Sequence, residues 1–150
     1  MTQFKTILVP TDFEPASDAA IETAIQLATA FGGSIRLVNS YEIPMGVSLG
    51  PAVAPFVNYT PMLEKISREA LDAQAGKYKM KFERIDTVLR CGVPWREILA
   101  AAEEDHADTI VMGTHGRHGL PHALLGSVAE KVVRLSPIPV MTVRAAPAAA

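Results

Sequence analysis

The fifteen residues GTHGRHGLPHALLGS, from Gly113 to Ser127, hold four of the chain's ten glycines. Backbone that bare can bring N–H groups close to an anion. A helix start carries unpaired donors and a partial positive charge, and glycine lets phosphate oxygens reach them without a Cβ in the way. The stretch follows a strand-like run, DTIVMG, and leads into a segment of helical period, so its glycines fall where such donors collect. Gly113 can end the strand, Gly116 and Gly119 suit the turn, and Gly126 can open the helix to close approach. Ser127 adds a hydroxyl beside the first-turn N–H groups, and Arg117 brings a cationic fork able to meet a charged oxygen. The same punctuation also serves a plain tight turn, and the residue types leave both readings open.

Other chemistries fit these residues less well. The stretch lacks the Lys-Ser/Thr ending of a P-loop, its spacing is not Gly-x-Gly-x-x-Gly, and it does not follow the first strand as a dinucleotide site would. His115, His118 and His122 lie within eight residues, but a glycine loop containing Pro121 offers zinc no fixed geometry. The glycine segment itself holds no Gly-x-Ser-x-Gly elbow for a nucleophilic serine. One arginine and no acidic residue in the segment argue against efficient phosphoryl transfer.

The rest of the chain must position this loop. With 150 residues and 49% hydrophobic content it is sized for a single domain. A net charge of -2 supplies no basic field, so neither nucleic acid nor an anionic membrane is an expected partner. Cys91 is the sole cysteine, which excludes an internal disulfide and reads as a small buried thiol. The start MTQFKTILVP has no leader-like pattern, and no apolar run approaches the roughly 20 residues that span a bilayer. The expected location is the cytoplasm.

Short apolar runs alternate with helical segments, the pattern of an α/β domain. KTILVP is a strand covered on both faces, and Ser17 to Phe31 is a helix with Ile21, Ala24, Ile25 and Ala28 on one side and Gly32-Gly33 as its stop. SIRLVNS is the second strand. Thr60 and Pro61 read as cap and first turn of a second helix marked by Leu63, Ile66, Ala70 and Ala73. RIDTVLR, a helix from Pro94 through Trp95, Ile98, Leu99 and Ala102, the strand DTIVMG, a helix from near Leu124–Ser127 to Leu135, and the strand IPVMTV complete the chain. Five strands with right-handed crossovers form a doubly wound parallel sheet with helices on both faces, and such sheets bind ligands at the carboxyl ends of their strands. Trp95 reads as packing, as do Met62 and Met80, and His106 as an exposed helix end. Tyr41 to Thr60 is apolar, has the single charge Glu42, and reads as a loop that packs on a ligand or a partner subunit. The domain is expected to span residues 1–144, with 145–150 a flexible tail.

ILVPTDFEPAS, GVPWREI, DTIVMGTHGRHG and LLGSVAEKVVRLSPIPVMTVR together resemble the universal stress protein family over essentially the whole chain. The signature of that family's ATP-binding branch is Gly, two residues, Gly, nine residues, Gly, then Ser or Thr; Gly113, Gly116, Gly126 and Ser127 match it. The resemblance implies a flavodoxin-like strand order 3-2-1-4-5, a homodimer, and ATP, with Mg²⁺, across the ends of the first and fourth strands. It implies that Pro10, Thr11 and Asp12 flank the adenosine and that Val38 meets adenine through its backbone. Met112, Gly113, His115, Gly116 and Arg117 would wrap ribose and phosphates, and Gly126, Ser127 and Val128 would close over the phosphate chain. The Asp12 carboxylate can accept a ribose hydroxyl, cap the turn before the first helix, or hold Mg²⁺.

The implied role is a nucleotide-dependent regulatory module of the stress response. The alternatives are a slow ATP hydrolase and a dimeric scaffold that no longer binds nucleotide. In the implied order the last strand lies at a sheet edge, where Val140 to Arg144 would pair with a second copy across a twofold axis.

Overall fold

The computed structural model describes residues 3–43, 59–114 and 125–145. The parallel strands β1 (Thr6–Pro10), β2 (Ser34–Tyr41), β3 (Ile85–Cys91), β4 (Thr109–Gly113) and β5 (Val140–Val143) form one sheet in the order β3-β2-β1-β4-β5. The crossovers carry helices α1 (Pro15–Phe31), α2 (Thr60–Lys79), α3 (Pro94–Glu104) and α4 (Ser127–Leu135). This is the expected doubly wound α/β architecture and strand order.

Alternation along the central strands builds two cores. Ile7 and Val9 of β1, Ile35 and Leu37 of β2 and Val111 of β4 pack with Ala20, Ile21, Ala24 and Ala28 of α1 and with Leu71, Ala75 and Tyr78 of α2. Their strand neighbours Leu8, Val38, Ile110 and Met112 point the other way, against Ile98, Ala101 and Ala102 of α3 and Ala129 and Val132 of α4. Burying one such aliphatic side chain contributes about 1.5–3 kcal/mol, so successive apolar residues on β1 stabilise both layers at once. That is why β1 reads as a continuous apolar run.

Gly32 ends α1 at φ 65, a left-handed conformation that glycine adopts without steric cost. Several local expectations shift. α1 begins at Pro15, two residues before Ser17, because Pro15 fits the first turn. Tyr59 holds the cap position of α2 and Thr60 is already helical. Along α2 the buried residues are Leu71, Ala75 and Tyr78, while Ile66 and Ala73 face solvent. Cys91 is exposed, since β3 is an edge strand and its last residue has no helix over it. Met62 and Met80 are 55% and 92% exposed and pack little. Residues 44–58 of the long apolar connection and 146–150 of the tail lie outside the described residues.

Candidate functional site

The first two connections place their helices on one face of the sheet and the last two place theirs on the other. The chain therefore parts at the carboxyl ends of β1 and β4, which are neighbours. A cavity of about 180 Å³ opens there. Its walls include Pro10, Thr11 and Asp12 from the end of β1, Val38 from β2, and Met112 and Gly113 from β4. Gly126, Ser127 and Val128 from the start of α4 complete the set of anticipated residues found in it. His115, Gly116 and Arg117 lie outside the described residues, as do His118 and His122.

The β1–α1 turn is braced by side-chain bonds beside its backbone ones. Ser17 donates its hydroxyl to Asp12 Oδ1 at 2.7 Å and accepts the Asp12 N–H at 3.1 Å; Glu14 donates its N–H to the same Oδ1 at 3.0 Å. One carboxylate oxygen thus braces the turn ahead of α1, which is the capping role. Thr11 is nearly buried, its hydroxyl donates to Gln74 Oε1 at 2.7 Å, and its carbonyl accepts from Asn39 Nδ2 at 2.8 Å. Phe13, between these anchors, stands at φ 68. Its N–H is held by Thr11 Oγ1 at 3.0 Å.

The Val38 carbonyl accepts the Thr11 N–H at 2.8 Å, one of the two hydrogen bonds that a carbonyl oxygen can take. The next residues of β2, Asn39 and Ser40, also line the cavity, and the sequence reading passed over them; Asn39 Nδ2 donates to the Thr11 carbonyl and the Ser40 hydroxyl to that of Gly92. It also missed Ser17, Thr114 and Ala129, and Pro94 and Ile98 at the start of α3. The signal for Ser17 was present in the Asp-x-x-x-x-Ser spacing after β1; Pro94 and Ile98 belong to a helix whose apolar face suits a core equally well.

Gly113 ends β4, as expected, and also serves packing. A Cβ there would lie 2.7 Å from the Cβ of Ala16 and 2.9 Å from its backbone carbon. Gly126 occupies the cap position of α4 in extended backbone, φ -70 and ψ 168. Its N–H donates to the Thr114 carbonyl, which draws together the two ends of the glycine segment. Among the described residues no side chain caps α4, and Ser127, Val128 and Ala129, whose N–H groups make up its first turn, line the cavity wall.

The lining has two chemistries. Pro10, Val38, Pro94, Ile98 and Met112 contribute apolar lining, while Asp12, Ser17, Asn39, Ser40 and Ser127 contribute polar lining. A wider chamber of about 630 Å³ shares Asp12, Asn39, Ser40 and Ser127 and adds Leu63, Ile66, Ser67 and Ala70 from α2. Trp95 lines neither chamber; it packs on the α3–α4 core with Arg96 and Lys131 against its ring at 5.0 and 5.2 Å. His106 is exposed at φ 49. Among the described residues no group of three or more His, Cys, Asp or Glu could hold a metal ion.

Comparison with known proteins gives one consistent outcome. The model of the universal stress protein family matches residues 3–144. Universal stress protein MJ0531 of Methanocaldococcus jannaschii is 35% identical over 94% of this chain and 82% of its own length. The solved structure of hypothetical protein MJ0577 is 27% identical, with a TM-score of 0.77 over 95% of this chain and 96% of its own. The universal stress protein of Archaeoglobus fulgidus solved in complex with dAMP is 19% identical, with a TM-score of 0.64 over 95% and 99% of the two chains.

Proposed function

We propose that this chain, which belongs to the universal stress protein family, binds an adenine nucleotide in the cleft between β1 and β4 and acts as a nucleotide-dependent module of the stress response. The observation that carries the reading is the pairing of an apolar lining with the uncapped start of α4 in one cavity. A purine is flat and apolar on its ring faces, and Pro10, Val38 and Met112 offer those faces an apolar wall. Asn39 and Ser40, which line the same cavity, keep acceptor oxygens that a base edge can meet. Phosphates belong at α4, where first-turn N–H groups, the helix dipole and the Ser127 hydroxyl favour negative charge. The dAMP complex of the Archaeoglobus fulgidus neighbour lends support from outside the chain.

The preferred ligand in this reading is ATP with Mg²⁺. The described lining residues fit such a group: Asp12 commits Oδ1 to the β1–α1 turn, which leaves a carboxylate that can still face a cation, and Ser127 adds a hydroxyl. No lysine or arginine stands among the described residues of either chamber, so phosphate charge has to be met by backbone donors, Arg117 and the metal. When bound, the metal neutralises phosphate charge. The protein's own part is to hold the base, exclude water from it and present donors.

Our reading favours retention over turnover. Asp12 is the sole carboxylate lining the smaller chamber among the described residues, with Glu42 in the wider one, and the two hydrogen bonds that Asp12 Oδ1 accepts weaken that oxygen as a general base. No helix among the described residues is long and apolar enough to cross a membrane, and a cytoplasmic homodimer paired through β5 completes the proposal. The test is to release bound nucleotide from purified protein by denaturation and to follow one turnover of MgATP. Intact ATP is expected in both. Prompt stoichiometric ADP would make the protein a hydrolase instead, and an absence of any nucleotide binding would make it a scaffold.

A further inference from the structure

The wall of the cleft is held by a polar chain that starts outside it. Gln74 lies on α2 and lines neither chamber. Its Nε2 reaches Asp18 Oδ1 on α1 at 3.4 Å, and the same oxygen accepts the Tyr78 hydroxyl at 2.7 Å. A carboxylate can only accept, so Asp18 fixes which end of the Gln74 amide faces it and turns Oε1 toward the cleft. There Oε1 accepts the Thr11 hydroxyl at 2.7 Å. With its proton committed to Gln74, Thr11 Oγ1 presents lone pairs to the Phe13 N–H, 3.0 Å away.

The last contact bears on the site because Phe13 stands at φ 68. A residue with a side chain pays for that conformation and keeps it only where neighbours over-determine it. The turn also carries Asp12, whose carboxylate lines both chambers. Lys77 lies 3.6 Å from Asp18, but both side chains of that pair are well exposed and it adds little.

We propose that Gln74 is a positioning residue for the cleft: by accepting the Thr11 proton it sets the turn of residues 11–14, and through that turn the placement of Asp12. The inference rests on the nucleotide reading above for its consequence, and on the hydrogen-bond chain alone for its structural content. α2 thereby governs a ligand site that Gln74 does not touch.

Two readouts test it: amide exchange of Phe13 in the unliganded protein, and calorimetric titration with MgATP. Gln74→Met keeps length and removes both polar ends; it should speed Phe13 exchange about tenfold relative to β1 amides and weaken MgATP by a similar factor. Gln74→Glu keeps an acceptor for Thr11 but sets a second carboxylate beside Asp18, and should behave alike. Combining Gln74→Glu with Asp18→Asn reverses donor and acceptor across that contact and should return both readouts to within about twofold of wild type. Leu71→Val, a core change on the same helix, should lower the melting temperature and leave both readouts alone. Unchanged Phe13 exchange in Gln74→Met, or failure of the paired substitutions to restore it, would overturn the inference. A wild type that does not bind MgATP would remove the nucleotide reading, while Phe13 exchange would still decide whether Gln74 sets the turn.

Discussion

Gly113 at the end of β4 lies so close to Ala16 in the first turn of α1 that a Cβ at 113 would stand 2.7 Å from the Ala16 Cβ. The backbone of α1 blocks retreat, with the Ala16 carbonyl carbon and oxygen at 2.9 and 3.0 Å. Gly113→Ala should therefore push α1 off the sheet and cost about 1–3 kcal/mol. Urea unfolding checks this: the midpoint should fall with the slope unchanged, and an unchanged midpoint would mean that α1 gives way freely.

Tyr78 sets a pH dependence. Burial, followed by its hydrogen bond to Asp18, holds the phenol well above its ordinary range. Its stabilisation is complete below the unfolded tyrosine pKa of about 10. Above that, the unfolded chain ionises first while the folded phenol keeps its proton, so stability falls as pH rises toward the folded value. Tyr78→Phe should be less stable at pH 8 and show a shallower fall between pH 10 and 11 in denaturant titrations. An equal slope in both proteins would contradict the assignment.

How far the sequence foretold this molecule depends on what each residue's neighbours are. Strands were legible because β1 and β4 are apolar on both faces, and Gly32 marks a helix end by itself, whereas the strand order came from the family resemblance. Faces were harder on α2, where Gln74 is part of the interior network while Ile66 and Ala73 are exposed; hydrogen bonds to Thr11 and Asp18, remote in sequence, decide that. The same limit applies at the cleft. Asp12 and Ser127 stand out by motif, whereas Asn39, Pro94 and Ile98 come to the wall through sheet register and helix packing, which a single chain does not advertise.

The edge strand carries the proposed dimer. Ile110 donates its N–H to the Pro139 carbonyl and Thr114 to that of Val143, so residues 139, 141 and 143 face β4 with their backbone, while Val140, Thr142 and Arg144 turn theirs outward. Thr142→Pro should remove an outward donor without touching the β4 ladder. Met141, 42% exposed, accepts a charge more safely than Val143, which packs against the α1–α2 core. Sedimentation should give a wild-type dimer, and a folded monomer for Thr142→Pro with Met141→Asp. A monomeric wild type at tens of micromolar would contradict pairing through β5.

Ser127→Ala removes one hydroxyl from the start of α4 and leaves its N–H groups in place. The affinity for MgATP should drop by about 0.5–1.5 kcal/mol, a few-fold to about tenfold in Kd. A loss beyond a hundredfold would show that the hydroxyl, and not the helix start, does the holding.

The central claim is that the cleft between β1 and β4 holds a nucleotide with its phosphates at the start of α4. Calorimetric titration with MgATP of the wild type beside Gly126→Val tests it most directly. Gly126 lies in extended backbone, φ -70 and ψ 168, which valine adopts without strain, so the variant should fold. Its branched Cβ would stand at the uncapped helix start, beside the donors that phosphate needs. The expected result is saturable binding at one site per wild-type chain and none in the folded variant. Equal affinity in the two proteins, or no binding by the wild type, would contradict the account.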